Sequence, residues 1–80
     1  MTDVRFSAGQ VIFRQAYPSD HAYVIVSGRV EIYKEMPQGE ERVAILEPGQ
    51  MFGELGVLDE APRSASARAV EDVVLKILNL

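Results

Sequence analysis

The sequence predicts a mainly β domain, a closed or sandwiched antiparallel sheet of many short strands interrupted by one short helix. Three observations point there. Turn signals recur at short, regular intervals along the chain. The segments between them are short and rich in Val, Ile, Tyr and Phe. One late stretch abandons that rhythm for apolar residues three apart.

Ala8-Gly9-Gln10, Pro18-Ser19-Asp20, Ser27-Gly28, Pro37-Gln38-Gly39 and Pro48-Gly49 carry the turn signals. Strands are expected near Val11–Phe13, Ala22–Val26, Arg29–Lys34, Arg42–Leu46, Ala65–Val70 and Val73–Leu78. Arg29-Val30-Glu31-Ile32-Tyr33-Lys34 alternates as a half-buried strand does. Ser27-Gly28 separates two such runs by two residues, and glycine adopts positive φ freely, so a tight hairpin is expected there. In Phe52-Gly53-Glu54-Leu55-Gly56-Val57-Leu58-Asp59 the apolar residues Phe52, Leu55 and Leu58 lie three apart, which suits one or two helical turns. Asp59-Glu60-Ala61-Pro62 then forces an irregular exit, since the residue before proline disfavours the α region.

Eighty residues make one small domain, spanning 1–80, with 48% apolar and 25% charged residues as in ordinary globular chains. A core this small leaves a stability on the order of 3–5 kcal/mol. The absence of cysteine excludes a disulfide staple and a thiolate metal site. A formal charge of −4 argues against nucleic-acid backbones as a partner. No apolar run approaches the roughly 20 residues needed to cross a bilayer. Met1-Thr2-Asp3 has neither the basic nor the apolar character of a leader, so a soluble, cytoplasmic chain is expected, with no membrane partner.

The chemistry concentrates between Phe52 and Ala69. Gly53 and Gly56 bracket the expected start of the helix, where free N–H groups attract phosphate and glycine lets a ligand approach the backbone. Glu54, in the first turn, can accept hydrogen bonds from sugar hydroxyls. Arg63 follows Pro62, and a guanidinium pairs well with phosphate oxygens. Ser64, Ala65, Ser66 and Ala67 are small and leave room beside the sheet. A hydrogen bond to a charged group contributes about 1.5–3 kcal/mol. One arginine with two or three aimed amides therefore suffices for micromolar affinity, about −8 kcal/mol.

Phe52-Gly53-Glu54-Leu55-Gly56-Val57-Leu58, followed by Pro62-Arg63-Ser64-Ala65-Ser66 and Ala69, closely resembles the phosphate-binding cassette of cyclic-nucleotide-binding domains. That family includes regulatory subunits of cyclic-AMP-dependent kinase, nucleotide-gated channels and catabolite-activator-type bacterial regulators. Ser27-Gly28-Arg29-Val30 and Leu46-Glu47-Pro48-Gly49-Gln50 extend the likeness upstream, so it covers nearly the whole chain. The resemblance implies an antiparallel, jelly-roll-like β-roll of about eight strands with the short helix inside the cassette. By position it implies that Arg63 holds the cyclic phosphate and Glu54 the ribose 2′-hydroxyl, with backbone N–H groups around Gly53, Leu55, Gly56 and Ala65 completing the ring. Ser64 stands where a hydroxyl reaches either the guanine of cyclic GMP or the phosphate, and does not decide between cyclic AMP and cyclic GMP. Ser66 and Ala67 replace the more usual threonine and valine. The family's C-terminal lid helices, and its flanking N-terminal helix, are not recognised in this sequence.

Blander roles compete for several of these residues. Glu54 alone would be read as a helix-start carboxylate. Arg63 could form a surface ion pair with Asp59 or Glu60, which themselves read as solvated loop charges. Gly53 and Gly56 could serve close packing. His21 has no second ligand nearby in sequence, so neither a metal nor a catalytic role is expected of it. Tyr17, Tyr23 and Tyr33 read as strand or edge aromatics, and Glu40-Glu41 as a charge pair at a hairpin tip. The expected function is a non-catalytic cyclic-nucleotide sensor needing no cofactor, acting through a second copy of itself or an effector domain outside this chain. A degenerate β-roll serving protein interaction or dimerisation is the alternative, against which intact Glu54 and Arg63 argue. A cupin-like enzyme would need a cluster of metal ligands that one histidine and no cysteine do not supply.

Overall fold

The expected strands are present, and two more with them. The computed structural model describes residues 3–79, so that Met1 and Thr2, read above as part of a non-leader N-terminus, and Leu80 lie outside the described residues. In chain order the elements are β1 (Asp3–Phe6), β2 (Val11–Phe13), β3 (Ala22–Ser27), β4 (Val30–Met36), β5 (Gly39–Leu46), β6 (Met51–Phe52), α1 (Glu54–Leu58), β7 (Ser66–Ala69) and β8 (Val73–Leu78). β1 and β6 were not anticipated: Asp3-Val4-Arg5-Phe6 is short and half polar, and β6 has only two residues, too few to show a period.

Two four-stranded sheets form, ordered β1-β8-β3-β6 and β2-β7-β4-β5, and every pairing is antiparallel. β1 pairs with β8, β2 with β7, β3 with β6 and β4 with β5. The two halves of the chain thus run together as one long hairpin. Rolling that hairpin up brings β8 beside β3 and β7 beside β4, which closes the roll. The tip is the two-residue connection Pro37-Gln38, where Met36 faces Gly39. Glu40 and Glu41 lie just beyond it, within β5.

The hairpin expected at Ser27-Gly28 is not one. β3 pairs with β8 and β6, whereas β4 pairs with β7 and β5, so the chain changes sheets at this turn. The positive φ of Gly28, 81°, is as expected. Its purpose is different: a Cβ there would collide with the carbonyl of Asp72 and come within 2.6 Å of the Val73 side chain. Glycine lets the crossing chain press against the start of β8.

Between the sheets lies the apolar core of Ile25, Val30, Phe52, Ala67, Ala69, Val73 and Leu75, with Tyr23 at its margin. Strand alternation puts Val30, Ala67 and Ala69 inward and sends Glu31, Tyr33, Ser66 and Arg68 to the other face. That outer face is tied by charge. Glu31 accepts hydrogen bonds from Arg42 Nε at 2.8 Å and from Arg68 Nε and Nη2 at 3.0 and 2.6 Å, and Arg68 also lies over the Tyr33 ring at 4.2 Å. The hydrogen bonds from Arg42 and then Arg68 hold the Glu31 carboxyl below the usual glutamate range. Among the described residues, no helix is long and apolar enough to cross a membrane.

Candidate functional site

The cassette is built around a left-handed residue. Gly53 caps α1 with φ 82° and ψ 0°, and a Cβ on it would lie 2.7 Å from Arg63 Nη1. Only glycine satisfies the backbone and leaves space for the guanidinium at once. Helix α1 then runs for five residues, with Glu54 half-buried in its first turn. So short a helix has little dipole, and its first amides count as individual donors. Gly56 stands inside the helix, not at its start, and there the Ser19 hydroxyl packs where a side chain would be. The helix ends in the irregular exit expected of it. Asp59 N donates to Leu55 O at 2.9 Å, Ala61 N donates to Gly56 O at 2.9 Å, and Glu60 takes a left-handed φ of 54°.

Arg63 lies in the segment between this exit and β7, and it is not a surface residue. It is only 4% exposed, which overturns the alternative of a surface ion pair with Asp59 or Glu60. Its Nη1 donates to Gly53 O at 2.9 Å and its Nη2 to His21 O at 2.6 Å. The guanidinium carbon sits 4.0 Å over the Phe13 ring, which stacks in turn with Tyr23 and Phe52. The nearest carboxylate is Asp20, 3.6 Å from Nη2. Burial pushes the arginine's pKa down, while Tyr23 and Asp20 oppose the shift. Burial raises the Tyr23 phenol, helped by Asp20 and countered by Arg63. A guanidinium stays charged under such shifts. Its Nε is buried and has no hydrogen-bond partner among the described residues. An unmatched donor on a buried cation is costly, and an anion would relieve it.

Beside Arg63 opens a small cavity of about 90 Å³, room for several water molecules. Of the residues singled out in the sequence, Gly53, Leu55, Gly56, Arg63, Ser64 and Ala65 line it, and Glu54 does not. Phe13 and Ile32 also line it, and neither was anticipated. The Phe13 contact comes from a strand fifty residues upstream of Arg63, which no local motif discloses. Asp20 and His21 were missed for the same reason. His21 acts through its main-chain carbonyl, for which a residue type carries no signal. Tyr23 and Tyr33 are strand aromatics as expected, whereas Tyr17 sits exposed in the β2–β3 loop. Among the described residues there is no group of three or more His, Cys, Asp or Glu side chains suited to a metal.

Known proteins resemble this chain in sequence and in fold. Residues 3–80 match the family model described as the cyclic nucleotide-binding domain. A CRP-like cAMP-activated global transcriptional regulator of Mycobacterium tuberculosis is 39% identical over 71 residues, covering 88% of this chain and 32% of that protein. A cyclic AMP receptor protein of Thermus thermophilus is 43% identical over 74 residues, covering 91% of this chain and 34% of its own length. The chain thus spans about a third of the length of these relatives. Among solved structures, the EAL enzyme Bd1971 in its cAMP-bound form superposes with a TM-score of 0.94 at 41% identity, covering 98% of this chain and 21% of that one. Its cGMP-bound form gives 0.95 at the same identity and coverage.

Proposed function

The chain belongs to the cyclic nucleotide-binding domain family, and from that premise we propose that it is a non-catalytic module binding cyclic AMP or cyclic GMP by their common ribose and cyclic phosphate. The observation that carries this reading is Arg63. Its guanidinium is buried, aimed by two main-chain carbonyls and left with an unpartnered Nε, and Arg63 lines a cavity together with Gly53, Ser64 and Ala65. A buried cation arranged in this way is suited to one phosphate. Arg63 takes the cyclic phosphate, joined by the N–H groups of Leu55, Gly56 and Ala65 and by the Ser64 hydroxyl. Glu54 accepts from the ribose 2′-hydroxyl; it stands one residue from Gly53, outside the cavity wall, where a sugar edge would reach it. The cavity suits a phosphate better than a purine, so base choice rests on groups outside it. That one similar protein, the EAL enzyme Bd1971, occurs in both a cAMP-bound and a cGMP-bound form supports this. Calorimetric titration with each nucleotide tests the reading. Micromolar binding to the wild-type chain, with less than a tenfold preference between the two, is expected. Arg63→Ala should weaken both at least a hundredfold. No heat from either at millimolar concentration would remove the function, and equal affinity in the variant would remove Arg63 from it.

A second reading is favoured by Leu55 and Leu58, which are 68% and 63% exposed on α1. Two large apolar side chains facing water on one short helix suit a protein contact. On this reading the roll serves interaction or dimerisation without ligand. The same titration separates the two, because only the first requires heat from nucleotide.

A further inference from the structure

The arginine is held by a loop, and the loop is held by one residue. Ala16 N donates to Arg63 O at 2.8 Å, Arg63 N donates to Tyr17 O at 2.9 Å, and His21 O accepts from Arg63 Nη2. Backbone and guanidinium of Arg63 are therefore both bonded to the β2–β3 loop, and the guanidinium also to Gly53 O. That loop leaves sheet β2-β7-β4-β5 after Phe13, and Gln15 ties it back. The Gln15 side chain accepts from Glu35 N at 2.8 Å and donates from Nε2 to Glu35 O at 3.3 Å. Its own N–H donates to Ser66 Oγ at 2.8 Å, and that hydroxyl donates to the Glu35 carboxylate at 2.8 Å. On this side of β4 the neighbouring strand β7 begins only at Ser66, opposite Tyr33, so Glu35 has no strand partner there. The primary amide of Gln15 supplies a donor and an acceptor in the pattern a strand would have offered.

We infer that Gln15 is a positioning residue for Arg63, a side-chain amide that completes the sheet at Glu35 and thereby fixes the loop whose Tyr17 and His21 carbonyls hold the backbone and the guanidinium of the arginine. The inference rests on the reading of Arg63 as the phosphate-binding group, but its geometry can be tested without ligand. The charge around it is accessory. The Arg14–Glu35 ion pair at 2.8 Å is half exposed on the arginine side and uses the Glu35 carboxylate, not its main chain.

Gln15→Met keeps the side chain's length and removes its amide. Two measurements follow: hydrogen exchange of the Arg63 Nε–H in the ligand-free protein by NMR, and cyclic AMP affinity by calorimetry. Exchange is expected to accelerate at least tenfold and affinity to fall about tenfold. The backbone amides of Ile25 and Leu75 in the core should change by less than twofold. Arg14→Ala should leave both readouts within twofold of wild type. Unchanged Arg63 exchange in a folded Gln15→Met protein overturns the inference. So does a parallel loss of protection at Ile25 and Leu75, which would make Gln15 a general structural residue. If Gln15→Met does not fold, Gln15→Glu, which keeps the acceptor and loses the donor, carries the same test. If the wild-type chain binds neither nucleotide, the functional reading fails, and Arg63 exchange alone still decides the role of Gln15.

Discussion

Two residues hydrogen-bonded to Arg63 take left-handed backbone conformations, and they differ in kind. Gly53 needs glycine twice over, for a φ of 82° and for the 2.7 Å between an added Cβ and Arg63 Nη1. Gly53→Ala is expected to cost about 1–2 kcal/mol in backbone strain. It should also push the guanidinium off the Gly53 carbonyl, with at least a tenfold loss of nucleotide affinity. A urea titration and a binding isotherm check the pair, and normal affinity in the variant would show that Arg63 does not depend on this cap. Ala16, by contrast, holds a φ of 73° with a Cβ present. Its N–H serves Arg63 O, so the conformation is enforced by the loop and not by the residue. Ala16→Gly relieves strain of about 1–2 kcal/mol against an unfolded-state entropy cost of about 0.4–1 kcal/mol. A net gain of roughly 0.5–1 kcal/mol is expected, seen as a higher urea midpoint at constant m. A lower midpoint would mean that the left-handed region carries no strain there.

At the level of elements, the sheet β2-β7-β4-β5 is locked on its outer face by one carboxylate. Glu31 on β4 accepts from Arg42 on β5 and Arg68 on β7, spanning three adjacent strands, with a side chain only 11% exposed. Its folded-state pKa lies below its ordinary value of 4.5. The unfolded chain therefore binds this proton more readily, and stability falls as pH drops from 4.5 through the lower folded-state value. Glu31→Gln should lower stability by about 2 kcal/mol at pH 7, where three charge-assisted hydrogen bonds from two arginines are weakened. The gap to wild type should close toward pH 3, as read by urea midpoints at each pH. A gap that stays constant would assign the acid sensitivity elsewhere. This lock was only half legible in the sequence. The alternation of Arg29–Lys34 placed Glu31 and Tyr33 on one face, but nothing local named Arg42 or Arg68 as partners. The same boundary runs through the site. The Gly53–Leu58 turn, Arg63 and the small residues after it are contiguous and carry their chemistry openly. Phe13, Asp20 and His21 reach Arg63, and Gln15 the loop beside it, only through long-range contacts that no local motif discloses. The Ser27-Gly28 turn is ambiguous in sequence for a related reason. A positive-φ glycine between two apolar runs fits a hairpin and a sheet-to-sheet crossing equally well, and only the close approach of Asp72 and Val73 separates them.

At the scale of the molecule, the roll brings the first and last strands into one sheet, with Asp3 facing Lys76 across β1 and β8. Most of its strand pairings join distant parts of the sequence, so little of the structure is stable alone, and two-state unfolding is expected. With about 3–5 kcal/mol of intrinsic stability, the binding energy of one nucleotide is comparable to the whole. Ligand at a hundred times its Kd adds about 2.7 kcal/mol to the folded state. For a domain of this size each kcal/mol raises Tm by roughly 4–8 °C. Saturating cyclic AMP should therefore raise the Tm of the wild-type chain by roughly 10–20 °C, and cyclic GMP by a similar amount. Arg63→Ala should show almost no rise, although it lacks only one side chain. Because unfolding is cooperative, the shift should appear equally in probes of the cassette and of β1, at opposite ends of the sequence. A rise confined to cassette probes would mean that the cassette melts as a unit separate from the roll. A rise that survives in Arg63→Ala would place the stabilising contact on some group other than the buried guanidinium.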